Sequence, residues 1–156
     1  MTTDTQLTVE GIIKFAINIE EESARFYENA INKYLDEDNK TDELIALLEE
    51  LSLEEIKHKK RLSDRFSVVS NPSASLESDA LRNVVDMIVT IPALEGSQTP
   101  VTVLTTALKR ENATADLYRT LLSLSDLGSL SSIFEELVDQ EVGHARRVKS
   151  LLEKMK

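Results

Sequence analysis

Apolar residues recur at steps of three and four through most of this chain, the period of one face of an α-helix. From about Leu7 to Leu35 the face is Ile12, Ile13, Ala16, Ile17, Ala24, Tyr27 and Ile31, with Glu20 set among them. The polar run Asp36 to Thr41 breaks the pattern, and Leu44, Leu47, Leu48, Leu51, Glu55, His58 and Leu62 resume it to about Phe66. Two long helices, over 7–35 and 42–66, are therefore predicted. The pattern weakens over 68–99, where Asn71-Pro72-Ser73 and Ile91-Pro92 flank a short amphipathic stretch from about Ser78 to Thr90. This reads as a long crossover carrying a small helix. Thr99-Pro100 reads as an N-cap followed by proline at the first helical position, where the missing N–H costs nothing, and opens a third long helix over 100–124. Ser125 to Gly128 reads as a tight break. Ser132, with Glu135 three residues on, resembles a capping box opening a fourth long helix over 132–155.

The two halves of this pattern repeat one another. Ala16, Glu20 and Tyr27 in the first helix have the spacing of Ala107, Glu111 and Tyr118 in the third. Leu51, Glu55, His58 and Leu62 in the second have the spacing of Leu137, Glu141, His144 and Val148 in the fourth. Each half is a helical hairpin with one set of polar residues in its apolar stripe, and pairing two such hairpins brings the sets face to face. Two short connections and one long one give two hairpins joined by a crossover, all within a single all-α domain over 1–156.

Composition narrows the partners. The formal net charge is −10, and Lys and Arg are interleaved with acids throughout, so no basic footprint for nucleic acid exists. Without Cys there is no disulfide and no thiolate site, so any metal must be held by oxygen and nitrogen. The N-terminal residues lack the basic start and apolar core of a signal peptide, and Val84 to Leu94 is too short to span a bilayer. The expectation is a cytoplasmic protein that engages neither membrane nor nucleic acid.

The candidate chemistry is a metal pair. Residues three apart share a helix face, so Glu55 with His58, and Glu141 with His144, can each aim an oxygen and a nitrogen at one ion, while Glu20 and Glu111 supply further oxygens. One Glu from each of two helices plus Glu-x-x-His from each of the other two is the ligand set of carboxylate di-iron and di-manganese bundles. A single Glu-x-x-His is ordinarily a solvated pair. Here both sit within apolar stripes, where four unpaired carboxylates are costly without a cation. Four carboxylates and two neutral imidazoles carry about −4, which two divalent ions balance. The repeat selects Glu20 over Glu21 and Glu22, and Glu55 over Glu54. Glu28, Glu49, Glu50, Glu135, Glu136 and Glu153 are expected on solvated faces. Tyr27 and Tyr118 either hydrogen-bond a ligand carboxylate of the opposite hairpin, fixing its orientation, or are core tyrosines satisfied elsewhere.

At these residues the chain resembles the rubrerythrin-like branch of the ferritin-like superfamily. Ala16-Ile-Asn-Ile-Glu20-Glu-Glu-Ser-Ala-Arg-Phe26-Tyr27 is similar to that branch's first helix, and Leu51-Ser-Leu-Glu-Glu55-Ile-Lys-His58-Lys-Lys-Arg-Leu62 to its second. Ala107 to Tyr118 and Glu136 to Val148 match in the same frame. The resemblance implies a ferritin-like four-helix bundle holding two iron ions, with manganese the alternative. It further implies a di-iron oxidoreductase that reduces hydrogen peroxide or dioxygen, as a peroxidase or a ferroxidase, with Glu55 and Glu141 shared between the ions. Two departures qualify it. There is no cysteine for a rubredoxin-type iron site, so an external electron donor is expected, and Thr114 stands where rubrerythrins carry a further carboxylate. A ferritin-type storage protein and an interaction module stapled by its metal are the other two readings. The expected assembly is a homodimer, and the short Ser78 to Thr90 helix either covers its own core or joins that dimer.

Overall fold

Among the described residues, four of the five α-helices start where the sequence supplies a side-chain oxygen. Thr8, Thr41, Ser78 and Thr99 lie in extended backbone and accept hydrogen bonds from the amides of Gly11, Leu44, Leu81 and Thr102. Each such cap is worth about 0.5–2 kcal/mol. The resulting elements are α1 (Val9–Asn29), α2 (Asp42–Phe66), α3 (Asp79–Val89), α4 (Pro100–Leu122) and α5 (Ser131–Met155). The computed structural model describes residues 5–67, 69, 71–124, 128 and 130–156, and among these the protein is all-α. Among the described residues, no helix is long and apolar enough to cross a membrane.

Two helix ends differ from the sequence expectation. The first helix closes in a π-helical turn, Ala30–Tyr34, with the Leu35 amide donating to the Ala30 carbonyl at 3.0 Å. The capping box at Ser132 does not form, because Leu130 is already helical (φ −75°, ψ −19°) and the chain winds into α5 without an extended cap residue. Of the expected break at 125–128, positions 125–127 lie outside the described residues, while Gly128 takes φ +52°, a left-handed conformation suited to glycine at a turn.

Pairwise contacts give the arrangement. α1 packs along α2, α4 along α5, and α3 against α4. Cross-links between the hairpins fix direction: Arg61 with Glu136 and Arg147 with Glu50 run α2 antiparallel to α5, and Tyr27 with Glu111 and Tyr118 with Glu20 run α1 antiparallel to α4. The crossover must therefore travel the length of α1. It is tied to the start of α1 by Val9 and Glu10 amides donating to the Ala74 and Pro72 carbonyls, and to its end by the Gln98 amide donating to the Tyr34 carbonyl. The first pair also satisfies amides that a helix N-terminus leaves unpaired.

The core lies in two apolar layers. One contains Ile12, Ile13, Leu62, Leu81, Leu117 and Phe134, the other Phe26, Leu44, Leu48, Leu104 and Leu151. Each buried large side chain contributes roughly 1.5–3 kcal/mol. Along every long helix, the buried Glu and His residues fall between the segments that feed the two layers. In α3, Leu81, Val85 and Ile88 enter the first layer, so this helix covers its own core while Met87 and Val89 stay exposed.

Gly11 is required by close approach. A Cβ there would lie 2.0 Å from the backbone oxygen of Gln6, which cannot retreat without moving the segment hydrogen-bonded to the crossover. Ala normally favours a helix over Gly by about 1 kcal/mol. Gly11→Ala is nevertheless expected to destabilise, by about 1–3 kcal/mol as other overpacked sites do. Thermal melts of the two proteins check this, and a higher midpoint for the variant would refute it.

Candidate metal centre

The six residues singled out in sequence converge in the middle of the molecule. Glu20, Glu55, Glu111 and Glu141 are at most 1% exposed, and His58 and His144 at most 3%. Their positions on four helices follow from the helical period, which keeps each Glu-x-x-His pair on the stripe that faces inward. Ligand atoms of Glu20, Glu55, His58 and Glu141 lie within 4.8 Å of one another, and so do those of Glu55, Glu111, Glu141 and His144. Glu55 and Glu141 belong to both groups. The two imidazoles stack with ring centroids 5.5 Å apart and planes at 12°.

The polar atoms point into this space without partners. Among the described residues, seven of the nine buried side-chain polar atoms lacking a hydrogen bond belong to these six residues: Glu20 Oε2, Glu55 Oε1, Glu111 Oε2, both oxygens of Glu141, and the Nδ1 atoms of His58 and His144. His58 Nδ1 lies 2.9 Å from Glu141 Oε1, and His144 Nδ1 lies 3.2 Å from Glu55 Oε1. Neither approach has hydrogen-bond geometry. Buried polar groups in proteins are almost always paired, and an unpaired carboxylate costs several kcal/mol. Such a concentration of orphans fits a bound cation: these buried Glu and His groups can hold a metal ion, and their hard oxygens and imidazole nitrogens are donors that divalent first-row ions accept.

Surrounding groups hold the six in place. The Tyr27 hydroxyl donates to Glu111 Oε1 at 2.5 Å and the Tyr118 hydroxyl to Glu20 Oε1 at 2.6 Å. Each phenol crosses to a carboxylate on the other hairpin. Burial, and then the charge of Glu111 for Tyr27 and of Glu20 for Tyr118, raises both phenols well above their ordinary range, so they stay protonated and donate. The outward nitrogens of the histidines are also taken. His58 Nε2 lies 2.5 Å from Gln140 Oε1, and His144 Nε2 lies 2.5 Å from Glu54 Oε2. Gln140 Nε2 donates to Glu136 at 3.3 Å, which turns its oxygen toward His58. Both acceptors require Nε2–H, which directs the lone pair of each Nδ1 at the carboxylates.

Neither Glu54, passed over in the sequence for Glu55, nor Gln140 is expected at the cluster from the sequence. The repeat held the signal: each precedes a ligand-type Glu by one residue, a position rotated toward the facing hairpin. Glu50 and Glu136 are exposed as expected, yet they anchor the α2–α5 seam through Arg147 and Arg61. Thr114 is buried, and its hydroxyl donates to the Arg110 carbonyl at 2.8 Å.

Without a cation, protons take its place. Burial, then the neighbouring charge of Glu55, pushes Glu20 up to about 8. Burial, then the charges of Glu111, Glu20 and Glu55, holds Glu141 well above the carboxylate range. Burial also pulls Glu55 upward, but the contacts and charge of His144 and His58 outweigh it and keep Glu55 low. Burial alone lowers the histidines. Contact with Glu20 and Glu55 lifts His58 to about 10, and contact with Glu111 and Glu55 lifts His144 to about 11.

A hollow of about 330 Å³ lies beside the cluster, walled by Ile19 and Ser23, which flank Glu20, and by Arg110 and Thr114, which flank Glu111. A larger hollow of about 580 Å³, at Gln6, Gly11 and Lys14, sits at the far end of α1 and has no part in the cluster. Comparison with protein-family models, with curated proteins and with solved structures finds no match to this chain.

Proposed function

We propose that this chain is a ferritin-like four-helix bundle of the rubrerythrin-like kind, a di-iron oxidoreductase acting on hydrogen peroxide or dioxygen. One observation carries the reading: two groups of buried donor atoms from four helices, sharing Glu55 and Glu141, with seven atoms lacking any hydrogen bond. Glu20, Glu55, His58 and Glu141 would hold one ion, and Glu55, Glu111, Glu141 and His144 the other. When bound, a ferrous pair supplies two electrons to an oxidant at one place.

The chain's own residues prepare that place. The apolar layers on either side of the cluster exclude water and strengthen each electrostatic contact inside. Tyr27 and Tyr118 keep Glu111 and Glu20 in fixed orientations, and Gln140 and Glu54 fix the tautomers of the two histidines.

The test is metal content of the purified protein, followed by anaerobic reconstitution with ferrous ion and parallel stopped-flow challenge with peroxide and dioxygen. Rapid oxidation by peroxide is expected of a peroxidase, and rapid oxidation by dioxygen with slow oxidation by peroxide of a ferroxidase. Iron retained but inert to both oxidants would overturn the oxidoreductase reading and leave a metal-stapled module. A light-scattering mass of a large shell would move the function to storage. Tight retention of manganese in place of iron would change the metal and keep the site.

A further inference from the structure

The groups that hydrogen-bond the cluster follow the internal repeat, although the residues beside it do not all match: Arg110 precedes Glu111 where Ile19 precedes Glu20. Tyr27 on Glu111 is matched by Tyr118 on Glu20. Arg61 on Glu136 is matched by Arg147 on Glu50. Buried Ser23 and Thr114 occupy equivalent positions three residues after Glu20 and Glu111. Among the groups that hydrogen-bond the six residues, one matched pair differs in charge: the outward nitrogen of His144 meets the carboxylate of Glu54, whereas that of His58 meets the amide oxygen of Gln140.

A carboxylate on the far nitrogen of a metal-binding histidine polarises the N–H bond, pushes electron density toward the coordinating nitrogen and adds a negative charge near the cation. An amide oxygen fixes the same tautomer without adding charge. Removing such a carboxylate partner costs roughly 10- to 100-fold in metal affinity. Elsewhere the two halves offer matched donors, because Glu55 and Glu141 belong to both groups and Glu20 and Glu111 each carry a tyrosine hydrogen bond.

We infer that the two cation positions are unequal and fill in order: the one served by His144 and Glu111 binds first and more tightly, and Glu54 is the positioning residue that makes it so. This rests on the reading of the cluster as a metal pair and specifies how the pair assembles. It also gives the protein a state with one divalent ion bound, reached before the second enters. Glu54 touches neither group of donor atoms directly, being partly exposed at the α2–α5 seam, so its role runs through His144.

The test is an equilibrium titration of the metal-free full chain with Co²⁺ against a competing chelator, followed by visible absorption. Two steps separated by roughly 10- to 100-fold in Kd are expected for the wild-type protein. Glu54→Gln should weaken the tight step and merge it with the other, and Gln140→Glu should merge them by strengthening the weak step. His58→Ala should leave the tight step in place, and His144→Ala should remove it. Circular dichroism of each variant shows that the helices persist. Two equal steps in the wild type, or a separation unchanged by Glu54→Gln, would overturn the inference while leaving the metal pair standing. Failure to bind Co²⁺ at all would overturn the metal reading and this inference with it.

Discussion

Glu141→Gln should make the metal-free protein more stable, and increasingly so as pH rises. Glu141 is fully buried, and neither carboxylate oxygen has a hydrogen bond. Burial, reinforced by the charges of Glu111, Glu20 and Glu55, holds its proton on well above the ordinary value of 4.5. The unfolded chain loses that proton near 4.5, so above that pH the native state binds one proton more than the unfolded state. Stability then falls with rising pH by about 1.4 kcal/mol per unit until the folded group ionises. Gln keeps the shape and has no proton to hold. The variant's advantage should be close to zero near pH 5 and grow by about 1.4 kcal/mol for each further pH unit over which Glu141 stays protonated, or roughly 3–6 °C in Tm per unit for a chain of this size. Chelator-treated proteins melted at pH 5 and pH 7.5 test it. A variant less stable than wild type, or a difference that ignores pH, would show that Glu141 serves packing rather than a cation. The same substitution should abolish most stabilisation by metal, the usual opposition between a functional site and stability.

Adding Mn²⁺, or ferrous ion under anaerobic conditions, to the metal-free wild type should raise Tm, with a gap that widens from pH 5.5 to 8. At free metal 100-fold above Kd, binding adds about 2.7 kcal/mol per site, or roughly 5–10 °C each. The pH dependence has two sources of the same sign. A cation must displace the protons held by Glu20, His58 and His144, whose folded values stand at about 8, 10 and 11; each displaced proton tightens binding about tenfold per pH unit below those values. Meanwhile the metal-free protein weakens. Stability from the raised histidines is complete below pH 6.5 and is lost as pH climbs toward 10 and 11, and the raised Glu20 costs stability from 4.5 to about 8. Calorimetric scans across that range, with and without metal, read both effects. A gap that narrows toward pH 8, or no gap, would count against cation binding at these six residues.

Much of the architecture was legible because helices are written locally. The three- and four-residue spacing marked every long helix, and Thr99-Pro100 marked the start of α4 to the residue, since cap chemistry depends on neighbours a turn away. The same local logic failed at Ser132. A capping box needs an extended residue to start from, and the chain arrives at α5 already wound. The π-helical turn at Ala30–Tyr34 had no sequence mark, because its one extra residue per turn depends on how the chain leaves the bundle toward Leu35. For the site, the repeat selected Glu20, Glu55, His58, Glu111, Glu141 and His144, and these are the residues found clustered and buried.

By itself the sequence determined which side chains lie on the inner stripe of each helix, because a fixed period of 3.6 residues leaves little freedom in that choice. It also determined the chemistry available there, oxygen and imidazole nitrogen without sulfur. Only the tertiary structure decided which residues meet across hairpins. Tyr27 and Tyr118 had two readings until packing brought their hydroxyls onto Glu111 and Glu20, and Glu54, passed over for Glu55, and Gln140 gained their histidine partners only when α5 lay antiparallel to α2. Contacts between distant segments depend on the rotation and offset of whole helices, which no local period encodes. That is why the ligand-type residues could be read from spacing, and the difference between the two histidines could not.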